Sequence, residues 1–162
     1  MAAPLDTQHS GGFASYCGLF CGACVITVAI KGNQLEQLAE KLCMTPEDLF
    51  CGGCKSESLA MHCGSCMIRQ CAIERGVAVC GECSEYPCRL LQAFNDDQNP
   101  HHSAVIRNQE RIRRIGLKDW LEEQERRWTC SGCGTPFSWY DTTCSLCGAP
   151  LRDAVMEMEQ NA

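Results

Sequence analysis

Sixteen of the 162 residues are cysteine, and their spacing limits the fold more than any other feature. Fifteen of them, all but Cys43, lie in Cys-x2-Cys pairs or within a few residues of one. A disulfide closed inside so tight a loop is strained, and disulfide frameworks space their cysteines more widely. The same turn suits two thiolates gripping one metal ion. The apolar content points the same way. Leu, Ile, Val and Phe together number 31, just under a fifth of the chain, and disorder becomes a concern below about 20%. A core this thin does not easily offset the entropy of ordering the chain, so metal is expected to hold the fold. The longest apolar run, Gly22 to Ile30, is far short of the ~20 residues that span a bilayer, so no membrane association is expected. The N-terminus has no basic start and no apolar stretch of signal-peptide type. The chain therefore reads as cytoplasmic, with reduced and metallated cysteines.

The expected class is mainly α: a small, metal-stabilised protein with a Cys-rich helical domain, a helical pair and a short C-terminal zinc-ribbon hairpin. Residues 1–16 read as a disordered tail, 17–94 as the Cys-rich domain with zinc knuckles, and 95–103 as a polar linker. Residues 104–128 read as the helical pair, 129–151 as the zinc ribbon, and 152–162 as a frayed tail. Leu35, Leu38, Ala39 and Leu42 recur with a helical period. Thr45-Pro46-Glu47-Asp48 has the N-cap, first-turn proline and first-turn acids of a helix start. Met67 to Arg75 reads as a helix stopped by Gly76, and Cys88 to Phe94 as another. Ser103 is placed to cap a helix ending at Gly116. In the helix that follows, Leu121 and Trp128 share a face, with Trp120 at its edge.

The C-terminal cysteines give the most specific pattern. Cys130-x2-Cys133 and Cys144-x2-Cys147 are ten residues apart, and each pair is followed by glycine. Two such knuckles make a tetrahedral four-thiolate site for Zn²⁺, with Zn–S of about 2.3 Å. Rubredoxin-type iron uses the same ligands. Between the pairs, 135–140 has room for a hairpin carrying Phe137, Trp139 and Tyr140. In the Cys-rich domain the expected ligands are Cys17, Cys21, Cys24, Cys51, Cys54, Cys63, Cys66, Cys71, Cys80, Cys83 and Cys88. Their pairing stays open. Cys51 and Cys54 with Cys63 and Cys66 repeat the grammar of the C-terminal site. Alternatively, Cys63, Cys66 and Cys71 take a partner from elsewhere. Cys63-Gly64-Ser65-Cys66 with Cys71, and Cys80-Gly81-Glu82-Cys83 with Cys88, form an internal repeat of C-G-x-C-x4-C. Cys17, Cys21 and Cys24 have the C-x3-C-x2-C spacing of radical S-adenosylmethionine enzymes, but no barrel follows. They read as three ligands of a closed site, with Cys88 the first choice for the fourth. A twelfth ligand is Cys43 or His62. Cys43 reads better as a buried helix residue, and His62 is balanced between ligand and exposed loop residue. His101 and His102 read as solvated.

Several blocks together resemble the family known as domain of unknown function 3795. They are Tyr16-Cys17-Gly18-Leu19 with Cys21 and Cys24, Cys51-x-Gly53-Cys54, Cys63-x2-Cys66-x-Ile68-Arg69-x-Cys71-Ala72, and Cys80-x2-Cys83-x2-Tyr86-Pro87-Cys88. Trp120-Leu121 and Trp128 through Asp141 resemble the ribbon tail of longer members. The resemblance implies a Cys-rich, metal-binding domain with no established activity. Val25-Ile26-Thr27 departs from a Pro-Ala-aromatic stretch common in that family.

The net charge is −6, which argues against strong non-specific nucleic-acid binding. The segment 101–128 is locally basic through Arg107, Arg111, Arg113, Arg114, Lys118, Arg126 and Arg127. It reads mainly as a solvated face with Glu110–Arg114 and Glu122–Arg126 pairs, though RNA contact through 104–147 stays open. No carboxylate pair, nucleophile elbow or phosphate loop is present, and the reading leans away from an enzyme. The expected function is a structural zinc protein, holding several ions and serving as a binding module for an unknown protein partner. The alternative is an iron–sulfur protein for electron transfer or redox sensing, with a [4Fe–4S] cluster in the N-terminal domain. Ferredoxin spacings are absent.

Overall fold

The computed structural model describes residues 12–161. The described chain is mainly helical and contains no strand. Nine α-helices run in order: α1 (Val25–Lys31), α2 (Leu35–Leu42), α3 (Pro46–Leu49), α4 (Met61–Gly64), α5 (Met67–Arg75), α6 (Arg89–Asn95), α7 (Val105–Ile115), α8 (Leu117–Arg127) and α9 (Ala154–Gln160). Short 3₁₀ turns cover Cys21–Ala23, Cys80–Glu82 and Pro100–Ala104. Local sequence accounts for several boundaries. The Thr45 hydroxyl accepts a hydrogen bond from the Asp48 amide, with Pro46 in the first turn of α3. Gly76, at φ +66°, ends α5 in the left-handed region.

Burial gathers in three clusters. The largest joins Ala14, Phe20, Ala23 and Val79 to Ile112, Trp120, Trp128, Phe137, Leu151 and Ala154. It draws on both sides of the polar 95–103 stretch. A second surrounds Ile26, Ala39, Leu49, Cys51 and Ala60, and a third joins Cys17, Ile68, Leu91 and Val105. Helix α7 joins the first and third of these parts. It buries Val105, Gln109 and Ile112, four and three residues apart, which is one helical face. Gln109 is fully buried. Its Nε2 donates to the Tyr16 carbonyl at 2.9 Å, and its Oε1 accepts from the Gly81 amide at 2.8 Å.

The structure revises several sequence expectations. Residues 1–11 lie outside the described residues, but Ala14 and Ser15 of the expected tail are buried, and Ala14 bridges Phe20. The 95–103 stretch is folded rather than open. His102 stacks on Phe94, with centroids 3.8 Å apart, and meets Asp97 at 2.8 Å. His101 stacks on Trp139 and shares a 2.6 Å hydrogen bond with the Tyr140 hydroxyl. Neither histidine is a freely solvated group. Ser103 does not cap α7; it lies inside the 3₁₀ turn and donates to the Pro100 carbonyl. Trp120, expected at the edge of its face, is its fully buried centre. Cys43 is exposed rather than buried, because it occupies the left-handed C-cap of α2, at φ 54°. Leu42 is likewise exposed, leaving Leu35, Leu38 and Ala39 as the packed face.

The C-terminal residues form α9 instead of fraying. The buried Asp153 side chain caps α9 by accepting from the Met156 amide at 2.9 Å. The Ala154 amide donates to the Trp139 carbonyl at 2.7 Å. Glu157 receives Arg127 Nε at 2.6 Å and Arg107 Nη2 at 3.5 Å. These contacts fasten α9 to α7, α8 and the aromatic segment.

Candidate metal centres

At the C-terminal site, Cys130, Cys133, Cys144 and Cys147 bring their four sulfurs within 4.8 Å of one another. Each knuckle closes on itself. The Gly134 amide donates to the Cys130 carbonyl and the Gly148 amide to the Cys144 carbonyl. Both glycines have positive φ, +77° and +73°, which lets the chain reverse there without strain. Single antiparallel bridges, Thr129 with Pro136 and Thr143 with Pro150, take the place of the expected hairpin ladder. The Cys130–Cys147 and Cys133–Cys144 sulfur separations are 3.7 and 3.5 Å. Tetrahedral thiolates at the Zn–S distance of about 2.3 Å have an edge of roughly 3.8 Å, so the four residues fit one ion. The Thr135 hydroxyl and amide hold the Cys133 thiol down to about 6, favouring the ligand form.

Phe137 and Trp128 pack at this site's base, 5.5 Å between ring centroids. Trp139 is half-buried against His101, while Tyr140 stays exposed. The aromatics thus serve largely as a local core.

The other eleven cysteines of the ligand set fall into three neighbourhoods that local spacing does not announce. Cys17 lies beside Cys54 and Cys66, and Cys21 beside Cys54 and Cys17. Cys24 lies beside Cys51, and Cys63 beside Cys51 and Cys24 and, less strongly, Cys54 and Cys66. By their strongest neighbours three Cys-x2-Cys pairs divide between two adjoining groups, with Cys21 also beside Cys24 and Cys63 also beside Cys54 and Cys66. Cys21, Cys54 and Cys66 turn toward Cys17, whereas Cys24, Cys51 and Cys63 turn toward one another. Cys63 has the other three members of one expected block, Cys51, Cys54 and Cys66, among its neighbours, together with Cys24. Cys80 lies beside Cys17, Cys88, Cys71 and Cys83. Cys88 thus shares the neighbourhood of Cys80, and it packs against the cluster that holds Cys17. Cys43 and His62 are both exposed.

Amide donors surround these sulfurs. The Gly53 amide donates to Cys51 Sγ at 3.4 Å, and the Cys54 amide to Cys21. Ser15 Oγ lies 3.0 Å from Cys17 Sγ. Burial pushes the thiols of Cys17, Cys63 and Cys80 up to about 12, and raises those of Cys21, Cys24 and Cys54. Buried thiolates crowded in this way repel one another, and a cation among them reverses the balance, because a coordinating thiol is deprotonated outright. None of the sixteen cysteines forms a disulfide.

The turns at Cys21–Ala23 and Cys80–Glu82 are near copies. Each is a one-turn 3₁₀ segment of sequence Cys-Gly-x, closed by an extended cysteine with φ, ψ of −64°, 136° at Cys24 and −70°, 139° at Cys83. Each follows a buried apolar residue, Phe20 or Val79. The sequence repeat matches Cys63 with Cys80, but Cys63 lies inside α4. The backbone equivalence is between Cys21 and Cys80.

A mainly helical, cysteine-rich protein with a four-cysteine cluster able to hold a metal ion is the class that this fold and site define. The family model described as Protein of unknown function (DUF3795) matches residues 13–93, half of the chain, and the protein belongs to that family. No curated protein and no solved structure matches the chain. Among the described residues no helix is long and apolar enough to cross a membrane.

Proposed function

We propose that the protein is a metal-stabilised binding module whose C-terminal site takes one Zn²⁺. The sulfur separations of 3.5 and 3.7 Å carry this reading, because they suit a single tetrahedral ion. Cys130, Cys133, Cys144 and Cys147 are its ligands, and the role of the ion is structural. It holds together a segment that has turn hydrogen bonds and two isolated bridges but no strand ladder of its own. The eleven clustered cysteines from Cys17 to Cys88 are further thiolate ligands, for zinc or iron–sulfur.

The proposed contact surface is the groove between α7 and α8, with a volume of about 690 Å³. Arg107, Arg111, Arg113 and Arg114 line it. Arg111 is paired with Glu123 across the helices, and Arg113 with Glu110. The expected i, i+4 pairs give way to these. Such neutralisation, with an overall charge of −6, disfavours a phosphate backbone and leaves a protein partner as the reading. The test is metal analysis of anaerobically purified protein. One zinc per chain should be lost in Cys133→Ser and kept in Cys43→Ser. Zinc equally retained in both would remove the basis of this reading.

A further inference from the structure

We propose that Cys71, Cys80, Cys83 and Cys88 form a separate centre that takes a [4Fe–4S] cluster rather than a single zinc ion. The inference rests on the metal-binding reading and assigns a different occupant to a different group of thiols. These four cysteines line one cavity of about 40 Å³. A single water needs about 10–15 Å³ measured this way, so the space is several times that. One ion gripped by four thiolates at about 2.3 Å leaves no such room.

Sulfur spacing is the second observation. Among the described residues, only the C-terminal set brings three or more such ligand atoms mutually within 4.8 Å. Around a [4Fe–4S] cluster four irons stand between the thiolates, which places the sulfurs roughly 6.5 Å apart. No three sulfurs of Cys71, Cys80, Cys83 and Cys88 meet that limit, so this set is the wider one, as a cluster requires, while the narrow set fits one ion. The third observation is a cation at the rim. Arg75 Nη1 points at Cys83 Sγ from 3.6 Å, and its other end pairs with Glu85 at 2.9 Å. A four-thiolate cluster is anionic and gains a further negative charge on reduction. A guanidinium at that distance stabilises it and favours the reduced state.

The test uses the full chain, reconstituted anaerobically with ferric iron, sulfide and a thiol that reduces part of the iron, then assayed for iron, acid-labile sulfide and zinc. The wild type should carry about four irons and four sulfides at this centre, with brown colour and the Mössbauer signature of a cubane. Iron and sulfide should fall by that amount in Cys80→Ser and Cys88→Ser while one zinc stays bound. Cys133→Ser should lose zinc and keep the iron. Arg75→Gln retains every sulfur, so folding defects do not obscure it, and it should lower the reduction potential. A wild type holding only zinc overturns the cluster but leaves the metal-binding reading intact, whereas a wild type binding neither metal overturns both. Full iron content in Cys80→Ser and Cys88→Ser, or an unchanged potential in Arg75→Gln, overturns the assignment to these residues.

Discussion

Gln109 Oε1 accepts the Gly81 amide at 2.8 Å, 28 residues away, in a site closed to solvent. The bond ties α7 to the turn that presents Cys80 and Cys83. Gln109→Leu keeps the approximate volume and strands the Gly81 N–H, while the Tyr16 carbonyl keeps the Cys80 amide as a donor at 2.8 Å. An unsatisfied buried group costs about 1–3 kcal/mol, so a loss of that size is expected. A urea midpoint within error of wild type would contradict it.

Gly81→Ala attacks the same contact from the other side. A Cβ there would meet Gln109 Oε1 at 2.7 Å and Arg113 Cγ at 3.3 Å. Lengthening the Gly81–Gln109 bond is the expected response, with metal loss from the Cys80 neighbourhood at lower chelator concentration. Metal release equal to that of wild type would show that the turn is not held from α7.

His101 gives a pH dependence. Burial, with the neighbouring charge of His102, lowers its ionisation from about 6.5 to about 4, while Asp97 opposes. The Tyr140 hydroxyl caps its Nδ1. The folded state therefore binds fewer protons than the unfolded chain between those values. Stability should fall as pH drops from about 6.5 toward 4, by roughly 1–2 kcal/mol after allowance for partial exposure. Metal release also rises in acid, so the readout is the difference between wild type and His101→Phe. The phenyl ring keeps the stack on Trp139 and should flatten that part of the slope. Parallel curves would contradict it.

Helix α9 should stabilise the C-terminal site. Asp153→Ala removes the cap and is expected to cost about 1 kcal/mol. Deleting 154–162 removes Ala154 from Trp139 and Glu157 from Arg127. Tryptophan emission should shift to the red, and the zinc should exchange faster. Unchanged emission would place α9 outside the folded unit.

The C-terminal site was legible because each of its Cys-x2-Cys turns gives both sulfurs to the same set, so local spacing determines the ligand set. Between Cys17 and Cys88 that logic fails. Partners there are chosen by the packing of α1, α5 and α7, and nothing within four residues of Cys21 or Cys54 reveals which sulfur it will face. Thr45 and Gly76 acted through their own backbone and were readable. His101 with Tyr140, and Asp153 with Met156, lie in segments whose polar composition resembles a loop. Their order comes from aromatic stacking and a helix cap. Trp120 was misplaced because the periodicity of Leu121 and Trp128 does not distinguish the centre of a face from its edge.

The division of three knuckles between two neighbourhoods bears on how the protein assembles. Cys21 and Cys24, Cys51 and Cys54, and Cys63 and Cys66 each hand one sulfur to either side. The two sets are linked three times through turns only two residues wide. Filling one set fixes half of every turn that the other needs, and stripping one loosens all three. Loading should therefore proceed in a concerted manner, with few half-filled molecules at intermediate metal, whereas the C-terminal site, which shares no turn with them, should fill on its own curve.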